Sequence, residues 1–259
     1  MNIVTIILVA LMFGSSVYLF PQLPAQIPMH WNALGQIDNY MPKNIAVWYL
    51  PVLTGLMVIS FYFAPLLDPK KEKYKLFQHE WQIMQIGITG FMAYIHFMIL
   101  YLTFHPEVAM MPLMFVGLGA LFILIGNYMS KIRQNYFIGV KVPWTLSSED
   151  NWNKTHRFAS WCFVIAGIFT LAEAFFVWQA PVIIFGSIML AAFLPMIYSF
   201  LLYKKRVHAM KFVYLGILGI IVILALVRGM SGEDEWMCRD GQWVQHGKPS
   251  SPMPIEACK

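Results

Sequence analysis

PLMFVGLGALFILIGNYM, from Pro112 to Met129, is an eighteen-residue run without a single charged side chain. A helix needs about 20 apolar residues, rising about 1.5 Å each, to cross the hydrocarbon of a bilayer. The run is apolar on every face, whereas a soluble surface helix keeps one face polar. Reading outward, the same pattern recurs at Ile3–Phe20, Ile45–Leu66, Trp81–Phe104, Phe158–Trp178, Val182–Tyr203 and Phe212–Val227. Gly and Pro inside several runs, and Trp48, Trp81, Tyr101 and Trp178 near their ends, suit spans with interfacial aromatics. The expectation is an all-α polytopic membrane protein with about seven transmembrane helices.

Composition excludes the alternatives. Of the 259 residues, 59% are hydrophobic and only 12% charged, about half the charged share of an average soluble domain. A soluble enzyme, a disordered regulator and a disulfide-stapled miniprotein all require a different balance. The net charge of +5 is a matter of placement. Lys70, Lys71, Lys73 and Lys75 fall in the second loop. Lys131, Arg133, Lys141, Lys154 and Arg157 fall in the fourth, and Lys204, Lys205, Arg206 and Lys211 in the sixth. These loops hold 13 of the 18 basic residues, against Lys43 alone in the odd-numbered loops. The positive-inside rule puts the even loops and the amino terminus in the cytoplasm and the carboxyl-terminal tail outside. The basic excess thus sets topology and implies no direct nucleic-acid partner.

The first run is too long for the apolar core of a signal peptide, and no basic segment precedes it, so it reads as a span. Processing near Gly14, Ser15 and Ser16 is the rival reading. Cys162 lies within a span as a small hydrophobe. Cys238 and Cys258 fall in the outer tail, where a disulfide would persist; closing a loop of roughly 20 residues would contribute about 3 kcal/mol. Three parts follow: residues 1–66, two spans with an outer Pro-rich loop at 21–44; residues 67–228, a core with a central cytoplasmic motif loop at 126–158; and residues 229–259, the outer tail.

Two loops carry most of the information. The outer one reads LPAQIPMHWNALGQIDNYMPK, Leu23 to Lys43. Its prolines fix backbone torsions and remove donors, predicting a shaped, turn-rich cap and no helix. His30 and Asp38 are too few to define a metal site, and neither metal nor cofactor is expected. The central loop reads GNYMSKIRQNYFIGVKVPWTLSSEDNWNKTHRF, Gly126 to Phe158. Its cations alternate with Tyr136, Phe137, Trp144 and Trp152, as in a segment lying on anionic headgroups of the bilayer. Pro143 interrupts any helix, and Ser147 with Asp150 resembles a capping box starting the next one. A membrane-surface elbow and a binding loop both fit this string.

The two strings together resemble the SdpI family of bacterial immunity membrane proteins. Gly126, Asn127, Asn135, Gly139, Pro143, Trp144, Thr145, Leu146, Trp152, Thr155, His156 and Arg157 fall on that family's core motif. Lys141 stands where the family often has Arg, which weakens a bidentate contact there. Pro24, Ile27, Pro28, His30, Asn32, Gly35 and Lys43 resemble a small domain of unknown function preceding the core in longer members. The resemblance spans roughly residues 1–210. It implies immunity against a secreted, membrane-active peptide toxin at the bacterial cytoplasmic membrane. It also implies sensing, with a small cytoplasmic autorepressor protein held at the membrane once toxin is bound. The expected toxin- or partner-binding residues are His30, Asn32, Lys43, Asn127, Asn135, Lys141, Pro143, Trp144, Thr145, Trp152, His156 and Arg157.

Polar groups within spans form a second candidate set. Glu173 is an intramembrane carboxylate, costly enough to need a reason, and His96 and Arg228 fall at similar depth. A proton- or substrate-handling site would make the chain a small proton-coupled transporter or efflux protein using Glu173. A structural pair, or a neutral Glu173, is the simpler reading. No HExxH, GxSxG or paired catalytic carboxylates occur, so no catalytic residues and no enzyme are expected.

Overall fold

The computed structural model describes residues 2–32, 35–176, 180–204, 216–223, 236–239, 242–245 and 252–254. They divide into two compact units, Met1–Val213 and Tyr214–Lys259. In the first unit α1 (Ile3–Leu19) leads into a two-stranded antiparallel hairpin, β1 (Gln26–Trp31) and β2 (Ile37–Pro42). Then come α2 (Lys43–Leu67), a 3₁₀ segment at Lys71–Leu76, α3 (Gln78–Phe104), α4 (Met110–Met129), the short α5 (Pro143–Ser147) and α6 (Glu149–Phe176). α7 (Ala180–Ile188), a π-helical segment at Met189–Phe193 and α8 (Leu194–Tyr203) form one further apolar stretch.

Five helices are long and apolar enough to cross a membrane: Lys43–Leu67, Gln78–Phe104, Met110–Met129, Glu149–Phe176 and Phe185–Tyr203. Ile3–Leu19 is apolar but shorter. The expectation of seven is thus met by five among the described residues. Half of the expected seventh span, Phe212–Val227, lies outside them, and 216–223 is helical. Large apolar side chains such as Ile3, Leu56, Leu66, Phe169 and Phe175 stand exposed along the helices. Water would not tolerate so much exposed hydrocarbon, but lipid does.

Small residues fix the tightest helix pair. α4 and α6 approach until an added Cβ on Gly119 or Gly126 would strike the backbone of α6, and one on Gly167 the backbone of α4. Ser160 Oγ donates across the seam to the carbonyl of Gly126 at 2.6 Å. Small faces and cross-helix hydroxyl bonds are how helices associate where lipid removes the hydrophobic drive.

The bundle has two elaborated ends. At one, the 68–77 segment, the 130–148 loop, α5 and the start of α6 pack with the end of α8. At the other, the hairpin sits on α1, α2 and α3, burying Leu23 and Ile27 among Met12, Val47 and Leu100. The outer loop was expected to be turn-rich and non-helical; its specific form is a hairpin turning through Gly35, at φ +77°. α6 starts nine residues before the apolar run at Phe158, because its polar first turns belong to the cap. Its start also differs from the expected Ser147–Asp150 box. Ser148 Oγ accepts from the Asn151 N–H at 3.2 Å, whereas Ser147 donates back to the Trp144 carbonyl and closes α5.

In the second unit β3 (Trp236–Arg239) and β4 (Gln242–Gln245) pair antiparallel. Cys238 is disulfide-bonded, while Cys258 and Arg228 lie outside the described residues.

Candidate functional site

The motif loop is a cap held together from within. His156, fully buried on α6, accepts the Val140 N–H on Nε2 at 3.0 Å. Its Nδ1 lies 2.8 Å from the Trp152 carbonyl. A backbone N–H must donate, so Nε2 is the acceptor, Nδ1 carries the proton and the imidazole is neutral. Trp152, also fully buried, stacks on that ring at 3.9 Å between centroids and donates its indole N–H to the Ile132 carbonyl at 2.8 Å. The loop can come so close because Gly139 sits at φ +116°, where an added Cβ would collide with His156.

Asn135 shapes the turn before it. Its side-chain oxygen accepts the N–H groups of Phe137 and Ile138, each at 2.8 Å, and its amide donates to the Arg133 and Ile138 carbonyls. Such side-chain bonds replace the backbone partners that an irregular buried segment lacks. Further on, Pro143 opens α5, where a missing N–H costs nothing. The buried Thr145 hydroxyl accepts from the Val142 N–H at 3.0 Å and donates to the Val140 carbonyl at 2.7 Å. Trp144 reaches α8, donating to Ser199 Oγ at 2.7 Å and packing on Phe200 and Tyr203. Asn151 donates to the Ser199 carbonyl at 3.0 Å and accepts from Thr155 at 2.9 Å.

Residues that the motif did not single out weld this loop to the 68–77 segment. The buried Asp68 accepts the Lys70 N–H at 2.7 Å on one oxygen. Its other oxygen accepts the Tyr136 N–H at 2.8 Å and the Tyr74 hydroxyl at 3.0 Å. Gln134 donates to the carbonyls of Thr145 and Leu146 and accepts from Lys70 Nζ. Lys73 pairs with Glu149. Burial, with the hydroxyl's bond to Asp68 and the charge of that carboxyl, pushes the Tyr74 phenol far above its ordinary range. Burial and the neighbouring Lys73 lower Lys70. The only sequence signal for Asp68 is an acid placed directly at the end of an apolar run.

Not every motif residue joins the cap. Asn127 is exposed on α4 and donates to the Ile123 carbonyl one turn back. Arg157 and Lys141 face outward, and Lys141 Nζ donates to the Phe137 carbonyl at 2.9 Å. The exposed side of the cap is therefore cationic.

At the opposite end, His30 Nδ1 and Asp38 Oδ1 lie 2.5 Å apart on the hairpin, exposed. Asn32 organises the turn, accepting the Gln36 N–H at 3.0 Å. Lys43 does not face outward as a binding group. Its ammonium donates to the carbonyls of Phe20 and Leu23 at 3.1 and 3.0 Å, closing the carboxyl end of α1 with favourable dipole charge. Among the described residues no three His, Cys, Asp or Glu side chains cluster as metal ligands. Within the bundle, His96 is buried with its Nε2 3.1 Å from Ser15 Oγ and 3.5 Å from Ser16 Oγ on α1. Glu173 is buried on α6.

The comparisons with known proteins follow the same division. The SdpI/YfhL protein family model matches residues 131–199, the cap and the helices that hold it. A domain of unknown function, DUF1648, matches residues 7–55, which contain the hairpin. The Immunity protein SdpI of Bacillus subtilis (strain 168) is 28% identical over 205 residues, covering 79% of this chain and 96% of that protein. No solved structure matches. With its apolar helices, this chain is a multi-pass membrane protein in which one stretch is similar to DUF1648 and a later one to the SdpI/YfhL protein family.

Proposed function

We propose that this chain is an immunity protein of the bacterial cytoplasmic membrane that protects its cell from a membrane-active peptide toxin. The observation that carries the reading is the similarity to Immunity protein SdpI along nearly that protein's whole length. In this reading the chain crosses seven times, with the amino terminus and the cap in the cytoplasm and the hairpin and tail outside. The even loops hold 13 of the 18 basic residues, and the bonds between the 68–77 segment and the 130–148 loop support a shared side for both. The hairpin, with the exposed His30–Asp38 pair, meets the peptide. The cationic outer side of the cap, with Lys141 and Arg157, recruits a small repressor when toxin is bound.

The test is gain of resistance. Expressed in a peptide-sensitive bacterium, the chain raises the inhibitory concentration of a membrane-active peptide above that of vector alone. A fluorescently tagged partner repressor moves to the membrane only when peptide is added. Unchanged inhibitory concentration across a panel of such peptides sinks the reading. A cysteine replacing Lys131 that is labelled by an impermeant thiol reagent from outside intact cells sinks the orientation.

A further inference from the structure

Beneath the cap lies a chamber of about 410 Å³, within the size range of small-molecule sites. Its walls come from the cap-side turns of α3 (Met84, Ile88) and α4 (Ile125, Met129), from Phe163 of α6, and from the π-helical segment. The motif backbone from Ile138 to Val142 forms its roof. Among the described residues Lys141 is the single charged one at its lining, and it is exposed, as are the lining residues Ala192 and Met196. The π-helical segment helps create the space. One widened turn at 189–193 presents the small Ala191 and Ala192 to the wall, and π-bulges are frequent at functional sites.

We propose that this chamber is a binding site for one anionic phospholipid of the leaflet beside the cap. An acyl chain would occupy the apolar space, with the headgroup phosphate on Lys141. The chemistry divides at the rim as the lipid's does. Hydrocarbon meets Met, Ile, Phe and Ala below. Above, an ammonium has three N–H donors and one bonded partner among the described residues, the Phe137 carbonyl. An apolar opening at helix-end depth in a bilayer faces acyl chains rather than water, and a cation at that level attracts anionic headgroups. The site is separate from the hairpin and does not rest on peptide binding there; it shares Lys141 with the side of the cap proposed to recruit the repressor. Occupied, it would brace the Ile138–Val142 segment, which Val140 ties to His156.

The experiment uses the full chain in mild detergent, titrated with phosphatidylglycerol, with phosphatidylcholine of the same acyl chains, and with glycerol phosphate. Bound lipid is counted by native mass spectrometry. The wild type retains one phosphatidylglycerol with about fivefold preference over phosphatidylcholine, the fold-change expected of one Lys near an anionic surface. Lys141→Ala removes the preference but keeps the chain binding, and Lys141→Arg restores it. Ala192→Phe fills the chamber and lowers retention of both lipids. Should Ala192→Phe fail to fold, Met196→Trp at the exposed rim reads the same effect. Undiminished phosphatidylglycerol retention in Lys141→Ala, or wild-type retention in a folded filling variant, overturns the proposal. So does displacement of the lipid by glycerol phosphate, which makes the site one for free phosphate, or a lipid-free dimer, which makes the chamber an interface.

Discussion

His156 of α6 takes the backbone N–H of Val140 on its Nε2 at 3.0 Å, joining a helix to a loop sixteen residues away. Replacing His156 with Ala or Phe leaves that N–H buried without its acceptor, at a cost of about 1–3 kcal/mol. The Phe variant refills the space on Trp152 but not the bond. Thermal unfolding in detergent is expected to show both variants melting below wild type, with Phe recovering only part of the loss. A wild-type melting point for His156→Phe would show that stacking, and not the bond, holds the loop.

Gly139 is the other half of that joint. Gly139→Ala combines a left-handed φ of +116° with a Cβ driven into the His156 ring, and is expected to lose about 1–3 kcal/mol. Gly90, on α3, has nothing within 4 Å of an added Cβ. Gly90→Ala is therefore expected to melt at or above the wild-type temperature. Parallel melting curves separate the two, and equal losses would contradict the close approach.

The cap carries a pH signature through Tyr74. Its phenol is raised by burial and by its bond to Asp68, above an unfolded value of about 10. A group raised on folding contributes stability that is full below the unfolded value and is lost progressively as pH rises from there towards the folded value. Stability is expected to fall as pH rises past about 10, because only the unfolded chain can then ionise Tyr74. Tyr74→Phe, about 1 kcal/mol less stable at neutral pH through its lost bond, flattens that alkaline slope. An identical slope in both proteins would place Tyr74 in water.

Trp144 and Ser199 tie α5 to α8 at 2.7 Å. Trp144→Phe keeps a ring against Phe200 and Tyr203 but removes the donor. A double-mutant cycle with Ser199→Ala is expected to give a coupling of about 1 kcal/mol. Additive losses would mean that packing alone carries the joint.

These joints mark where reading the sequence succeeds and where it stops. Hydropathy places α2, α3 and α4 to within a few residues, since each is apolar on all faces and continuous. It starts α6 nine residues late. Glu149 to Arg157 are polar by composition yet helical, because Asn151, Trp152, Thr155 and His156 are buried by the cap and not by lipid. The outer prolines correctly exclude a helix at Leu23–Lys43, but strand register, which pairs His30 with Asn39 and brings Asp38 into reach, leaves no periodic trace. Lys43 reads as a polar head and acts as a helix cap. His96 gives no hint of Ser15 and Ser16, eighty residues away. Asp68, Tyr74 and Gln134 lie outside or between the recognisable motif positions, and their importance comes from partners brought in by folding.

Protection by paired variants tests the account most directly. Wild type, His30→Ala and Trp144→Ala are expressed at equal membrane levels in a sensitive bacterium and challenged with a membrane-active peptide. Survival is expected for wild type and is expected to be lost in both variants, through the hairpin in one case and the cap in the other. Full protection by both variants, or none by the wild type, would contradict the account.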